Sequence, residues 1–134
     1  MNKFFLAVSL MLATVALSAQ HKLTVTVDGI DKTKGKMFIA VYDEANYMKQ
    51  PLYGTVAKVD TQEVTAVIDS VSAGCYAVVI FHDINDNGKL DMGAFGPTEP
   101  YGYSNNAKGQ YGPPSFADCA IKVEDDTAVY VTVE

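Results

Sequence analysis

The chain has 134 residues, ten lysines, no arginine and sixteen acidic residues, for a net charge of −6. Arginine is the side chain that reads phosphate and guanine through paired hydrogen bonds. Its absence from a net-negative chain argues against nucleic acid and anionic lipid as partners and favours attraction of cations.

The N-terminus has the order of a secretory signal. Lys3 gives a short positive region, an apolar stretch runs from Phe4 to Leu17 with only Ser9 and Thr14 interrupting, and small residues follow at Ser18 and Ala19. The apolar run is shorter than the ~20 residues a membrane span needs. Residues 1–19 are therefore expected to be a signal peptide, cleaved after Ser18 or Ala19. The protein is then exported, to the periplasm or the exterior, with no transmembrane segment remaining. Residues 20–134, roughly 115 in number, suit one domain with its own core. In an oxidising compartment Cys75 and Cys119 are either bridged or separate thiols, since geometry decides the bond.

Alternation of period two dominates the remainder. Leu23, Val25 and Val27 alternate with Thr24, Thr26 and Asp28, as in a half-buried strand. A turn over Asp31–Gly35 leads to a second strand, Lys36–Tyr42, and the two read as a hairpin. Asp43–Pro51 is a polar excursion. Further strands are expected at Tyr53–Val59 and Glu63–Ile68, then at Cys75–Phe81, whose apolar residues on both faces mark a central strand. Two more follow at Cys119–Val123 and Ala128–Val133. Seven short strands without a long amphipathic helix predict an all-β fold, a seven-stranded antiparallel β-sandwich of immunoglobulin-like or prealbumin-like type.

Between the fifth and sixth strands lies an insertion, residues 83–117, with six of the ten glycines and four of the five prolines. A structureless loop of that length is unusual unless something ties it down. Phe95, Tyr101, Tyr103, Tyr111 and Phe116 are too many aromatic rings for a solvated tail, so the insertion is expected to be ordered. Its opening, Asp83-Ile-Asn-Asp-Asn-Gly-Lys-Leu-Asp91, matches the first three-quarters of an EF-hand calcium loop. Asp83, Asn85 and Asn87 occupy the alternating oxygen positions, Gly88 the reversal, Lys89 the carbonyl position and Asp91 the ninth. The bidentate acid of the twelfth position is replaced by Ala94, and no helix pattern flanks the loop. Calcium is the expected ion, held weakly at about 10⁻⁴–10⁻³ M, with Glu99 as a remote ligand if the chain folds back. The alternative is a turn whose side chains bond to their own backbone.

Tyr101, Tyr103, Asn105, Asn106 and Tyr111 form a composition of rigid rings and adaptable amides suited to recognising a glycan or a protein surface, or else an internal brace. Two other readings stand beside a binding module. One is a metal-dependent hydrolase using His82, Asp83 and Glu99. The other is a structural accessory subunit of the cell envelope that assembles through sheet edges.

The runs Phe81-His-Asp83, Asn85-Asp-Asn-Gly-Lys-Leu-Asp91, Gly96-Pro-Thr-Glu-Pro-Tyr-Gly-Tyr-Ser-Asn-Asn106 and Gly112-Pro-Pro-Ser-Phe-Ala-Asp118 resemble a bacterial secreted family of uncharacterised proteins, domain of unknown function 2141. Ser72-Ala-Gly-Cys-Tyr-Ala77 is also similar to the strand entry of transthyretin-like modules. The resemblance implies a prealbumin-like sandwich of the bacterial envelope or exterior, and it implies no activity.

Overall fold

The computed structural model describes residues 19–134, so the signal segment lies outside the described residues except for Ala19. The first sheet has three strands. β1 (Gln20–Asp28) lies between β4 (Val64–Ser72) and β10 (Thr127–Thr132). The second orders β3 (Tyr53–Lys58), β2 (Lys36–Tyr42), β5 (Gly74–Asp83) and β8 (Tyr101–Tyr103), and β9 (Ile121–Val123) pairs with the start of β5. A two-stranded ribbon of β6 (Met92–Gly93) and β7 (Gly96–Pro97) stands apart.

Alternation sets which face is buried. Leu23, Val25 and Val27 on β1 and Val129 and Val131 on β10 point the same way, into a core that also takes Met37, Ile39 and Val41 of β2 and Tyr76, Val78 and Ile80 of β5. Both sheets thus bury one face in a single apolar cluster, the stable solution for amphipathic sheets.

Three expectations are corrected. The strands are not all antiparallel: β1 and β10 run parallel, with Val25 opposite Val129. The terminal strand reaches β1 by crossing from the other sheet, a connection that period-two patterning does not encode. Nor do β1 and β2 form a hairpin, because they lie in different sheets. The chain crosses through Ile30, which is buried in the core, and Gly29 at φ +77°, where a Cβ would sit 2.7 Å from the Val133 carbonyl oxygen. Finally, ten strands occur among the described residues rather than seven, because the insertion contributes β6, β7 and β8.

β4 also runs past its expected end at Ile68. Leu23 faces Ile68 and His21 faces Val71, so β4 carries an extra residue there, a bulge with Ser70 at φ +63°. The bulge returns Val71 to the core after two exposed residues.

β5 is central, as its two-sided apolarity predicts. Its outer face carries a second small cluster. Ala77 is covered by Tyr103 of the insertion and by Cys119 just after it, with Tyr47, Ala107 and Phe116 around them. Ser104, fully buried, stitches this layer down: its hydroxyl accepts the Val78 N–H at 2.9 Å and donates to the Cys119 carbonyl. Both cysteines are free, Cys75 exposed on β5 and Cys119 buried against Tyr47, so they are separate thiols and not a bridge. No helix among the described residues is long and apolar enough to cross a membrane.

Leu23→Ala removes a fully buried side chain facing both sheets and is expected to cost about 2–5 kcal/mol in urea unfolding. Tyr130→Ala, on the exposed face of β10, is expected to stay within about 0.5 kcal/mol. Equal costs at the two positions would contradict this assignment of faces.

Candidate functional site

β5 delivers His82 and Asp83 to the mouth of the insertion, both fully buried. A buried carboxylate is stable only when hydrogen-bonded. Asp83 meets this need locally: Oδ1 accepts the N–H of Asn87 at 3.1 Å and Oδ2 that of Gly88 at 2.8 Å. The reversal that brings those N–H groups back uses Asp86 at φ +56° and Gly88 at φ +80°. The far end of the loop closes on Asp91. Asn85 Nδ2 donates to its Oδ2 and Asn87 Nδ2 to its Oδ1, each at 2.6 Å. These two amides hold the Asp91 carboxyl below the usual carboxylate range. Asn87 Oδ1 in turn accepts the Lys89 N–H at 3.1 Å.

Glu99 folds back as the sequence allowed. It is buried, and its oxygens bridge the two ends of the motif. Oε2 accepts the Ile84 N–H at 2.7 Å and Oε1 the Asp91 N–H at 3.0 Å. Thr98 adds its own N–H to the Asp91 carbonyl at 2.9 Å. The side chains of Asp83, Asn85, Asn87 and Asp91 are therefore brought into one hydrogen-bonded loop, while among the described residues no three His, Cys, Asp or Glu side chains form a group able to hold a metal ion.

His82, Asp83 and Glu99 are all buried and each is held by backbone groups. The His82 ring points to the core side of β5, where Nε2 donates to the Lys34 carbonyl at 2.6 Å and Nδ1 has no partner. Each oxygen of Asp83 and of Glu99 accepts one backbone N–H.

The aromatic segment divides. Tyr103 is buried against Ala77, with its ring at 6.0 Å and 83° to that of Tyr101. Asn105 and Asn106, both exposed, adopt positive φ and bond to neighbouring backbone: Asn105 Nδ2 donates to the Asp118 and Ala120 carbonyls, and Asn106 Oδ1 accepts the Thr132 N–H at 3.0 Å. Tyr103 and Asn105 brace the fold, and Asn106 does so through its Oδ1 alone. Tyr101, 38% exposed, and Tyr111, fully exposed, remain accessible. Tyr101, Tyr103, Asn106 and Tyr111 nevertheless line one groove of about 1090 Å³, and Asn105 does not. Its other walls come from Met48, Leu90, Met92 and Phe95. Met48, on the excursion after β2, has no sequence signal linking it to the insertion. Phe95 had one, an aromatic residue on a short glycine-bounded stretch.

The family model described as an uncharacterized protein conserved in bacteria, DUF2141, matches residues 25–130. The chain belongs to this family. The matched span takes in both sheets, the acidic loop and the groove-forming insertion of this DUF2141 member. No curated protein and no solved structure matches the chain significantly.

Glu99→Gln keeps the shape but replaces one acceptor oxygen with an NH₂ facing a backbone N–H. It is expected to cost about 1–3 kcal/mol in urea unfolding. Asp91 makes a separate contribution that depends on pH. A carboxyl whose folded pKa is depressed stabilises above its unfolded value, and that stability fades as pH falls through the folded value. Between about pH 6 and pH 2, the wild type should lose more stability than Asp91→Asn; parallel curves would refute the Asp91 contribution.

Proposed function

We propose that the protein is an exported, non-enzymatic binding module on a prealbumin-like sandwich, in which calcium occupies the Asp83–Asp91 loop and steadies the groove beside it. The observation that carries this reading is the placement of the Asn85 and Asn87 amides on the two oxygens of Asp91, each at 2.6 Å. An amide rotated by half a turn presents oxygen where it presented nitrogen. Oxygens gathered at that spacing repel one another unless a cation lies among them, and calcium accepts about six to eight such ligands. Asp83, Asn85, Asn87 and Asp91 would contribute side-chain oxygens and Lys89 its carbonyl. The two carboxylates offset the charge of the ion. With only two acids in the set, the affinity falls at the weak end, about 10⁻⁴–10⁻³ M, as in extracellular modules.

The groove supplies the binding role. The chain that leaves Asp91 enters the β6–β7 ribbon, which carries Met92 and Phe95 to the groove, and Thr98 and Glu99 return it to Asp91. An ion at Asp91 therefore stiffens the ribbon by restraining both of its ends. The signal pattern in residues 1–19 supports export, and two sheets sharing one core support the sandwich. The burial of His82, Asp83 and Glu99, each held by backbone groups, supports a non-enzymatic role over hydrolysis.

Calcium bound only by the folded loop stabilises by mass action. Millimolar calcium is expected to raise the melting midpoint above that in EDTA by about 5 °C, and Asp91→Ala to abolish the rise. Superimposable melts of the wild-type protein would sink the calcium reading at those concentrations.

A second reading, an accessory subunit, draws on the outer face of the β3–β2–β5 sheet. Phe38 and Phe81 stack there at 4.8 Å beside exposed Val56, and β3 has no further strand on its other edge among the described residues. If this face mediates assembly, light scattering will show a mass that rises with concentration and that Val56→Lys returns to the monomer value.

A further inference from the structure

The groove ends in two aromatic rings that nothing covers. Phe95 at the turn of the β6–β7 ribbon is 107% exposed relative to an open chain, and Tyr111 is 101% exposed. A glycine follows each ring, and neither Gly96 nor Gly112 has any atom within 4 Å of where a Cβ would stand. The ring faces and the space beside them are thus free to receive a ligand.

The polar lining limits what that ligand is. The charged side chains of the groove are Lys108 and Glu134, and they neutralise each other, Lys108 Nζ lying 2.9 Å from both Oε1 and Oε2 of Glu134. The other polar side chains besides the tyrosines, Asn106, Gln110 and Thr132, are neutral. On a chain of net charge −6 this patch selects neither for an anion nor for a cation. Strand addition by a peptide needs a free sheet edge. The edge of β8 in this groove is already closed, because Tyr101 N donates to the Glu134 carbonyl and Glu134 N to that of Tyr101. At about 1090 Å³, the groove lies at the upper end of the ~300–1,000 Å³ range of ligand pockets, and its two bare rings stand on separate turns, at Phe95 and at Tyr111, which suits a ligand of several units.

A neutral, extended ligand that is apolar on its ring faces and rich in hydroxyls at its edges meets all of these limits. Aromatic faces are electron-rich and attract polarised C–H groups. Amide side chains both donate to and accept from hydroxyls. We propose that this groove binds a neutral oligosaccharide, with pyranose faces stacked on Phe95 and Tyr111 and hydroxyls meeting the amides of Gln110 and Asn106. The inference rests on the reading of the protein as a binding module; it does not require the calcium site.

The test is calorimetric titration of the mature protein with cellohexaose, chitohexaose and mannohexaose, each in EDTA and in millimolar calcium. A polyproline peptide and phosphatidylcholine vesicles serve as competing probes. At least one oligosaccharide is expected to bind. Phe95→Ala and Tyr111→Ala are each expected to weaken it by about tenfold or more without moving the melting midpoint, since neither ring packs on the fold. Absence of binding by all three sugars overturns the proposal. So does binding that both variants retain at wild-type strength, or uptake of only the peptide or the vesicles. Equal sugar affinity in EDTA and calcium leaves the proposal standing and detaches it from the ion. A calcium-dependent melt without sugar binding does the reverse.

Discussion

Asp83 is buried where β5 ends, and both of its oxygens receive backbone N–H groups from the turn that follows. Sixteen residues later Glu99, also buried, receives the N–H groups of Ile84 and Asp91. An ionised carboxylate taken from water costs several kcal/mol unless its oxygens are matched, and charge-assisted bonds to N–H groups are about twice as strong as neutral ones. Loop and acids are therefore mutually dependent. Without the turn the two carboxyls would be buried without partners, and without them the opening of the insertion would lose the bonds that hold its two ends together. The Pro100 carbonyl, which accepts the His82 N–H at 2.8 Å, then places β8 against β5.

From that anchor the insertion acts as a second layer on the sheet. Tyr103 and Cys119 cover Ala77, Ser104 ties Val78 to Cys119, Asn105 holds the Asp118–Ala120 segment and Asn106 holds β10. What remains outside this layer is a groove with bare aromatic rims. The five residues of similar type divide by their contacts: Tyr103 packs on the sheet, Asn105 and Asn106 bond to neighbouring backbone, and Tyr111 projects into solvent. The acidic loop and the groove are joined by the short chain through Met92, Phe95 and Thr98, whose N–H returns to the Asp91 carbonyl.

Much of the fold was legible in the sequence. Lys36–Tyr42 forms a strand over the span its alternation marks, and the apolar run after Cys75 lies at the sheet centre. These patterns are local, because a side chain's face is set by its parity along the strand. Strand partnership is not local. Whether Val27 continues into a hairpin or into a crossing depends on where Ile30 finds apolar neighbours, and the parallel pairing of β1 with β10 joins residues about a hundred positions apart. The bulge at Ser70 was hidden for the same reason, since it answers to the register of β1.

For the site, the sequence by itself determined the acidic loop. Asp83, Asn85, Asn87, Gly88 and Asp91 are close enough in the chain that their chemistry constrains one turn whatever surrounds it. The role of Glu99 and the separation of Tyr103 from Tyr111 were decided by tertiary structure alone. So was the groove that brings Met48 beside Phe95. Each depends on which parts of the chain compete for the same buried surface, and that competition is settled only when the two sheets and the insertion pack together.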